Sequence, residues 1–138
     1  MPEILTDVQV KSYEDTGYLI LERHLPMTII ENIRAEIARF EEESRSMSES
    51  NERLELEEGH TAEQPRIRRI RLPHTISDMM RELMYSDHIL APARDLIGPD
   101  LRLHTTKLNM KSPENGAVIE WHQAVSYTHL TLPTICSV

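Results

Sequence analysis

The residues with the clearest potential for chemistry lie late in the chain, where His122 follows Trp121 at the end of a short apolar stretch. A histidine on a strand can share a metal ion with a carboxylate two positions on, because alternate side chains lie on the same face. One imidazole, one carboxylate and a distant second histidine form such a face on ferrous iron. Position 124 is an alanine, and a methyl group cannot ligate a metal. The spacing predicts a metal site that lacks one ligand, and a structural role for His122 stays open.

Lys107 is the second candidate, on a segment from Leu101 to Met110 that we predict to be a strand. Strand alternation places Lys107 and Asn109 on one face and Leu108 on the other. A lysine that faces a closed interior is costly unless it meets an anion. Lys107 therefore either contacts a carboxylate-bearing co-substrate or extends its ammonium group to solvent, and the residues alone favour neither.

The other histidines that precede His122 are scattered along the chain without the spacing of metal ligands. We expect them to be ordinary packing or surface residues. No glycine-rich phosphate loop is present, and no serine or cysteine nucleophile has a base at a recognisable spacing. The residues therefore suggest no catalytic side chain outside the metal motif. These histidines are His24, His60, His74, His88 and His104.

Four helices are predicted to position these candidates. Thr6 is a plausible N-cap for the first helix, which Gly17 ends. Isoleucines at helical spacing before Phe40 predict an amphipathic second helix. Ser77 and Ser86 are predicted to cap the third and fourth, and Pro92 should kink or delay the last one. The predicted ranges are 7–15, 28–43, 78–85 and 87–97.

The extended segments are shorter. Apolar residues predict a strand over Tyr18–Leu21. The acidic stretch from Glu41 to Glu58 is interpreted as a solvated helix end followed by a loop. An extended segment follows from Ile67 and stops at Pro73, and a last strand is predicted over Val118–Gln123.

Length and charge limit the class of protein. At 138 residues the chain is one domain or part of one. Its formal net charge of -8 disfavours nucleic acid, because phosphate neutralisation needs clustered Lys and Arg and the only basic cluster, 66–71, is short. No apolar run approaches the roughly 20 residues of a membrane span, and the N-terminus does not resemble a signal peptide. We expect a cytoplasmic protein that binds a small molecule, and neither nucleic acid nor membrane.

Taken together, the motifs resemble the phytanoyl-CoA dioxygenase family of non-haem iron, 2-oxoglutarate-dependent oxygenases. The likeness runs from Leu5 to Gln123. Its most specific part is TKLNMK, a Pro/Gly turn and then WHQ. The resemblance implies an α+β fold in which N-terminal helices pack on a double-stranded β-helix, or jelly roll. That jelly roll would be incomplete here.

The resemblance also assigns roles. His122 would be the first ligand of Fe(II), and Gln123 would be the middle residue of the family's His-X-Asp motif. Lys107 would contact 2-oxoglutarate, and Asn109 and Trp121 would line or buttress the pocket. Family members hydroxylate small organic acids, acyl-CoA esters or specialised metabolites. The carboxylate ligand, the second iron histidine and an arginine for 2-oxoglutarate are missing from the sequence.

The tail has a separate explanation. The stretch AVSYTHLTLPT, from Ala124 to Thr134, matches the translation of a transposase-type sequencing adapter residue for residue. We therefore predict that residues 1–123 are the N-terminal part of a dioxygenase domain and that 124–138 are non-native. The chain itself is expected to be an inactive fragment. Two alternatives stay open: a small helical binding or scaffold protein, and a ligand-binding pseudo-enzyme of the same fold. The oligomeric state is not predicted.

Overall fold

A computed structural model of the chain describes residues 4–111. Within this range four α-helices accompany a three-stranded antiparallel sheet, which confirms the α+β class. The strand order follows the sequence order, and a short 3-10 helix, Pro73–Thr75, follows the second strand. The helices are α1 (Asp7–Thr16), α2 (Met27–Ser44), α3 (Asp78–Met84) and α4 (Asp87–Ile97); the strands are β1 (Leu54–Leu56), β2 (Ile67–Arg71) and β3 (Lys107–Asn109).

Helix α1 begins and ends where the sequence predicts. The Gln9 backbone N–H donates to the Thr6 hydroxyl at 3.2 Å, and the Gln9 side-chain oxygen accepts from the Thr6 N–H at 2.9 Å. This reciprocal capping box satisfies donors that a helix N-terminus leaves without partners. Gly17 ends the helix with φ of 81°, a left-handed conformation that glycine adopts without steric cost.

Helices α2 and α3 are joined by a shared serine. The Ser77 hydroxyl accepts from the Met80 N–H at 3.2 Å, which caps α3 as predicted. Ser77 also lies close enough to Glu36 of α2 to act on it: the Glu36 pKa is lowered by its hydrogen bond to Arg39, despite partial burial, with help from Ser77. The serine therefore fixes the start of α3 against the middle of α2.

Helix α4 runs through Pro92, which is buried in its interior. Proline has no N–H to donate, so the carbonyl of His88, four residues earlier, loses its helical partner. His24 replaces that partner, since its Nε2 lies 2.6 Å from the His88 carbonyl oxygen. Pro92 does not delay the helix, which begins at Asp87. Its effect in the structure is an acceptor without a helical donor, which a distant side chain contacts instead.

The core lies between α2 and one face of the sheet. Phe40 of α2 packs with Leu54, Ile67 and Ile70 of the strands, and all four are at most 3% exposed. Leu54 opposes Ile70, but Leu56 opposes Ile67, so β2 contains one extra residue. This β-bulge lets Ile67 and Ile70, three residues apart, both face the core. Without the bulge their odd spacing would direct them to opposite faces.

Three predictions about extended segments need correction. Tyr18–Leu21 is not a strand: within residues 4–111 it has no ladder partner, and Tyr18 and Ile20 are 65% and 72% exposed. The predicted acidic loop contains β1, because Leu54 supplies a buried side chain and β2 supplies a ladder. The strand predicted over Leu101–Met110 is reduced to Lys107–Asn109, the part that pairs with β2. The strand predicted over Val118–Gln123 lies outside the described residues.

Candidate functional site

The two faces of the sheet have opposite character. Leu54, Ile70 and Leu108 occupy neighbouring register positions and pack in or against the core. Strand alternation places their neighbours on the far side, away from Phe40 and α2. We call this far side the polar face. It consists of Glu55, Arg69, Arg71, Lys107 and Asn109, with Arg68 beside it at the bulge.

Glu55 is the acidic centre of the polar face. Its carboxylate lies 2.9 Å from an Arg71 terminal nitrogen, 3.5 Å from Arg69 and 3.4 Å from Arg68. The hydrogen bond from Arg71 lowers the pKa of Glu55 against a smaller opposing effect of burial, and the charges of the three arginines lower it further. One negative charge therefore faces three guanidinium groups, so the cluster keeps a positive excess.

Arg69 orients Asn109 on the neighbouring strand. The two residues are cross-strand partners, and Arg69 Nε donates to Asn109 Oδ1 at 3.1 Å. An asparagine amide has one acceptor end and one donor end. Because Arg69 occupies the acceptor, the amide nitrogen of Asn109 is the end that this contact does not use.

Arg71 and Lys107 form the other cross-strand pair of β2 and β3 on the polar face. Side chains directly opposite in an antiparallel pair lie roughly 5 Å apart at Cβ, and like charges there are destabilising. Glu55 partly compensates Arg71, whereas Lys107 is exposed and has no acidic partner among residues 4–111. The pair concentrates positive charge at one end of the polar face.

The predicted site residues divide into two groups. Lys107 and Asn109 lie on one face of a strand, as alternation predicts, with Leu108 between them turned toward the core. Their predicted contact with 2-oxoglutarate stays a prediction. Trp121, His122, Gln123 and Ala124 lie outside the described residues. The sequence had shown Arg68, Arg69 and Arg71 only as a short basic cluster, and no local signal placed them beside Lys107.

Several of the other histidines have structural contacts. His60 accepts the Arg66 N–H at Nδ1 at 2.9 Å and lies 3.2 Å from the Met47 carbonyl through Nε2. His74 Nδ1 lies 2.5 Å from the Thr106 hydroxyl, and His24 contacts α4 as described above. Across residues 4–111 no three His, Cys, Asp or Glu side chains are grouped so that they could hold a metal ion. This part of the chain therefore supplies no complete iron site.

Comparison with known proteins assigns the chain to a family. The family description of phytanoyl-CoA dioxygenase matches residues 13–138. The chain belongs to the phytanoyl-CoA dioxygenase family. The match continues to the last residue, and the separate origin of 124–138 stays a prediction.

Two kinds of curated relative are dioxygenases by name. A probable alpha-ketoglutarate-dependent hypophosphite dioxygenase of Stutzerimonas stutzeri is 29% identical over 115 residues, 83% of this chain. Ectoine dioxygenases of Bordetella parapertussis and Nocardia farcinica are 26% and 25% identical, over 93% and 88% of this chain. The chain spans only about 40% of the length of these relatives. None of the helices described here is long and apolar enough to cross a membrane.

Proposed function

We propose that the chain is the N-terminal part of a non-haem iron, 2-oxoglutarate-dependent dioxygenase that hydroxylates a small organic or acyl substrate. The observation that carries the proposal is the position of Lys107 and Asn109. Both lie on the sheet face opposite the α2 contact, and neither is used by the core. Family membership supplies the reaction type, because the relatives are dioxygenases by name, one of them dependent on alpha-ketoglutarate.

The proposed architecture is a jelly roll whose outer surface carries the N-terminal helices. In such a fold, two sheets enclose the site and one face of each is turned inward. Phe40 of α2 covers the apolar face of this sheet, so the polar face is the one that would line the interior. An interior with buried cations requires an anionic partner, and a dicarboxylate such as 2-oxoglutarate provides one.

Lys107 and Asn109 fit a carboxylate chemically. The ammonium group of Lys107 donates and carries charge, and the Asn109 amide is held with its nitrogen available by Arg69. Trp121 and Gln123 are proposed to flank the same pocket. Bound Fe(II) would supply oxygen activation, with His122 as a ligand. The described residues lack a metal-ligand group, so the other ligands must come from elsewhere.

We further propose that Ala124 marks a junction between native residues 1–123 and a non-native tail, and that the chain as given is inactive. One imidazole is too few ligands to retain ferrous ion, since a facial site uses two histidines and a carboxylate. Reading the source gene across codon 124 tests this directly. We expect an aspartate codon followed by an open frame with a later histidine and arginine. A native stop codon after Val138 would leave a pseudo-enzyme or scaffold protein instead.

The continuous gene product then tests the activity. We expect it to form succinate from 2-oxoglutarate with Fe(II), whereas the 138-residue chain forms none. Lys107→Gln should raise KM for 2-oxoglutarate about tenfold or more, because a charge-assisted hydrogen bond contributes roughly 1.5–3 kcal/mol. His122→Ala should abolish iron binding. Lys11→Gln, on the exposed surface of α1, is the matched control and should leave KM unchanged.

A further inference from the structure

We infer that Arg71 recognises an anionic group on the substrate, next to the 2-oxoglutarate contact proposed for Lys107. The substrate class would then be a small molecule with a carboxylate or a phosphorus oxyanion. This inference rests on the proposed function, because it takes the polar face to be the inner wall of the site. It adds a recognition residue that the sequence motif does not contain.

The polar face has more positive than negative charge. Arg69, Arg71 and Lys107 place three positive charges there, against the one carboxylate of Glu55. One carboxylate of 2-oxoglutarate would offset Lys107, while the other would pair with the arginine that the family resemblance implies outside this sequence. One positive charge would still be in excess, and an enclosed site does not retain an unpaired charge without large cost.

The geometry points to Arg71 as the residue left for a second anion. Arg69 already donates to Asn109, and its side chain is 31% exposed. Arg71 uses one terminal nitrogen on Glu55 at 2.9 Å, while its side chain is 52% exposed. A guanidinium group has five N–H donors in a planar fork. Within residues 4–111 the Arg71 side chain makes no other hydrogen bond, so its remaining donors are available to an anion.

The backbone at Arg71 is well fixed. Its N–H donates to the Arg53 carbonyl at 2.7 Å, and the following Leu72 N–H donates to Thr106 at 3.0 Å. Arg71 thus stands on a strand that is hydrogen-bonded on both sides. A recognition side chain on a fixed strand loses less conformational entropy on binding than one on a loop.

Anion titration of the continuous gene product tests the inference. The isotope-labelled protein is titrated with inorganic phosphate, acetate and 2-oxoglutarate at constant ionic strength, and amide shifts of β2 and β3 are followed. We expect phosphate or acetate to shift Arg71 and its neighbours, and the stronger of the two identifies the anion class. Arg71→Gln should weaken that binding about tenfold, the loss of one charge-assisted contact. Arg71→Lys should restore most of it.

Two variants separate recognition from folding. Arg68→Gln also removes an ion pair with Glu55, at 3.4 Å, but lies at the bulge, so it should change affinity less than about twofold. Glu55→Gln removes the carboxylate that competes for Arg71 and should tighten anion binding. The double variant Glu55→Gln/Arg71→Gln keeps a neutral hydrogen-bonding pair in the sheet and should bind as weakly as Arg71→Gln.

The outcomes distinguish this inference from the proposed function. Loss of 2-oxoglutarate binding in Lys107→Gln with no effect of Arg71→Gln on any anion would overturn the role of Arg71 and leave the proposed function standing. An Arg71-dependent anion site with no response to 2-oxoglutarate would support the role of Arg71 and overturn the 2-oxoglutarate contact of the proposed function. Weaker anion binding in Glu55→Gln would show that Arg71 serves only to hold the fold.

Discussion

At the scale of single residues, Glu55 connects the stability of the sheet to its charge. It is the acidic member of a face that otherwise carries arginine, lysine and asparagine, and its side chain is 19% exposed. Partial burial alone would favour the neutral acid, yet the pKa of Glu55 is lowered because Arg71 hydrogen-bonds the carboxylate. The folded state therefore stabilises the ionised carboxylate more than the unfolded chain does.

This shift predicts a pH-dependent contribution to stability. A carboxyl group with a lowered folded pKa stabilises fully above its unfolded pKa, about 4.3, and the contribution disappears as pH falls through the folded value. Glu55→Gln should lower the free energy of unfolding by about 1–3 kcal/mol at pH 7. The difference from the native chain should shrink below about pH 4. Urea unfolding at several pH values measures it.

The exposed loop residue Glu49 provides the control, since Glu49→Gln should change stability little at any pH. Glu36, whose pKa is also lowered, is present in the native chain and in Glu55→Gln. Its contribution therefore cancels in the difference between their free energies of unfolding. A loss in Glu55→Gln that persists unchanged to pH 3 would show that the arginines do not act through the ionised carboxylate.

At the scale of elements, α4 depends on a side chain far away in sequence. Pro92 removes a helical hydrogen bond, and His24 occupies the His88 carbonyl that this leaves. The rings of His24 and His88 also meet edge to face, with centroids 6.1 Å apart. The loop before α2 is thereby joined to the first turns of α4.

A double-mutant cycle tests this arrangement. His24→Ala should destabilise the chain by about 1–3 kcal/mol, the cost of an unsatisfied acceptor that is partly buried. In a Pro92→Ala background the new N–H at position 92 can donate to the His88 carbonyl. The cost of His24→Ala should then fall by about 1 kcal/mol, as expected for coupled positions. Additive losses across the cycle would contradict the coupling.

At the scale of the whole molecule, the described core is small. The cluster at α2 and the sheet contains four buried residues, while eight large apolar side chains, including Ile20 and Ile97, are at least 41% exposed. Within residues 4–111, β1 and β3 each pair on one side only. Unpaired strand edges and exposed apolar surface favour association with other chains.

We therefore predict that the 138-residue chain unfolds broadly and self-associates, whereas the continuous gene product unfolds cooperatively. The reason is the marginal balance of folding, in which a small core leaves little net stability. Thermal unfolding followed by circular dichroism, with sedimentation at several concentrations, makes the comparison. A sharp transition of a monomeric 138-residue chain would contradict the prediction.

The sequence by itself determined the features that depend on neighbours along the chain. Capping residues such as Thr6 and Ser77 set helix starts, because the groups that they satisfy lie two or three residues away. Strand alternation placed Lys107 and Asn109 together for the same reason. The motif around these residues also indicated the family that the comparison shows.

Only the tertiary structure decided which residues meet across long separations. It paired β1, in a stretch that sequence patterns assign to a loop, with β2, and the bulge in β2 turned Ile67 to the core. It also brought Arg69 to Asn109, 40 residues apart, and His24 to His88, 64 residues apart. Such contacts depend on the packing of whole elements, which no local spacing encodes. The polar face is therefore a product of the fold, built around two residues that the sequence had already singled out.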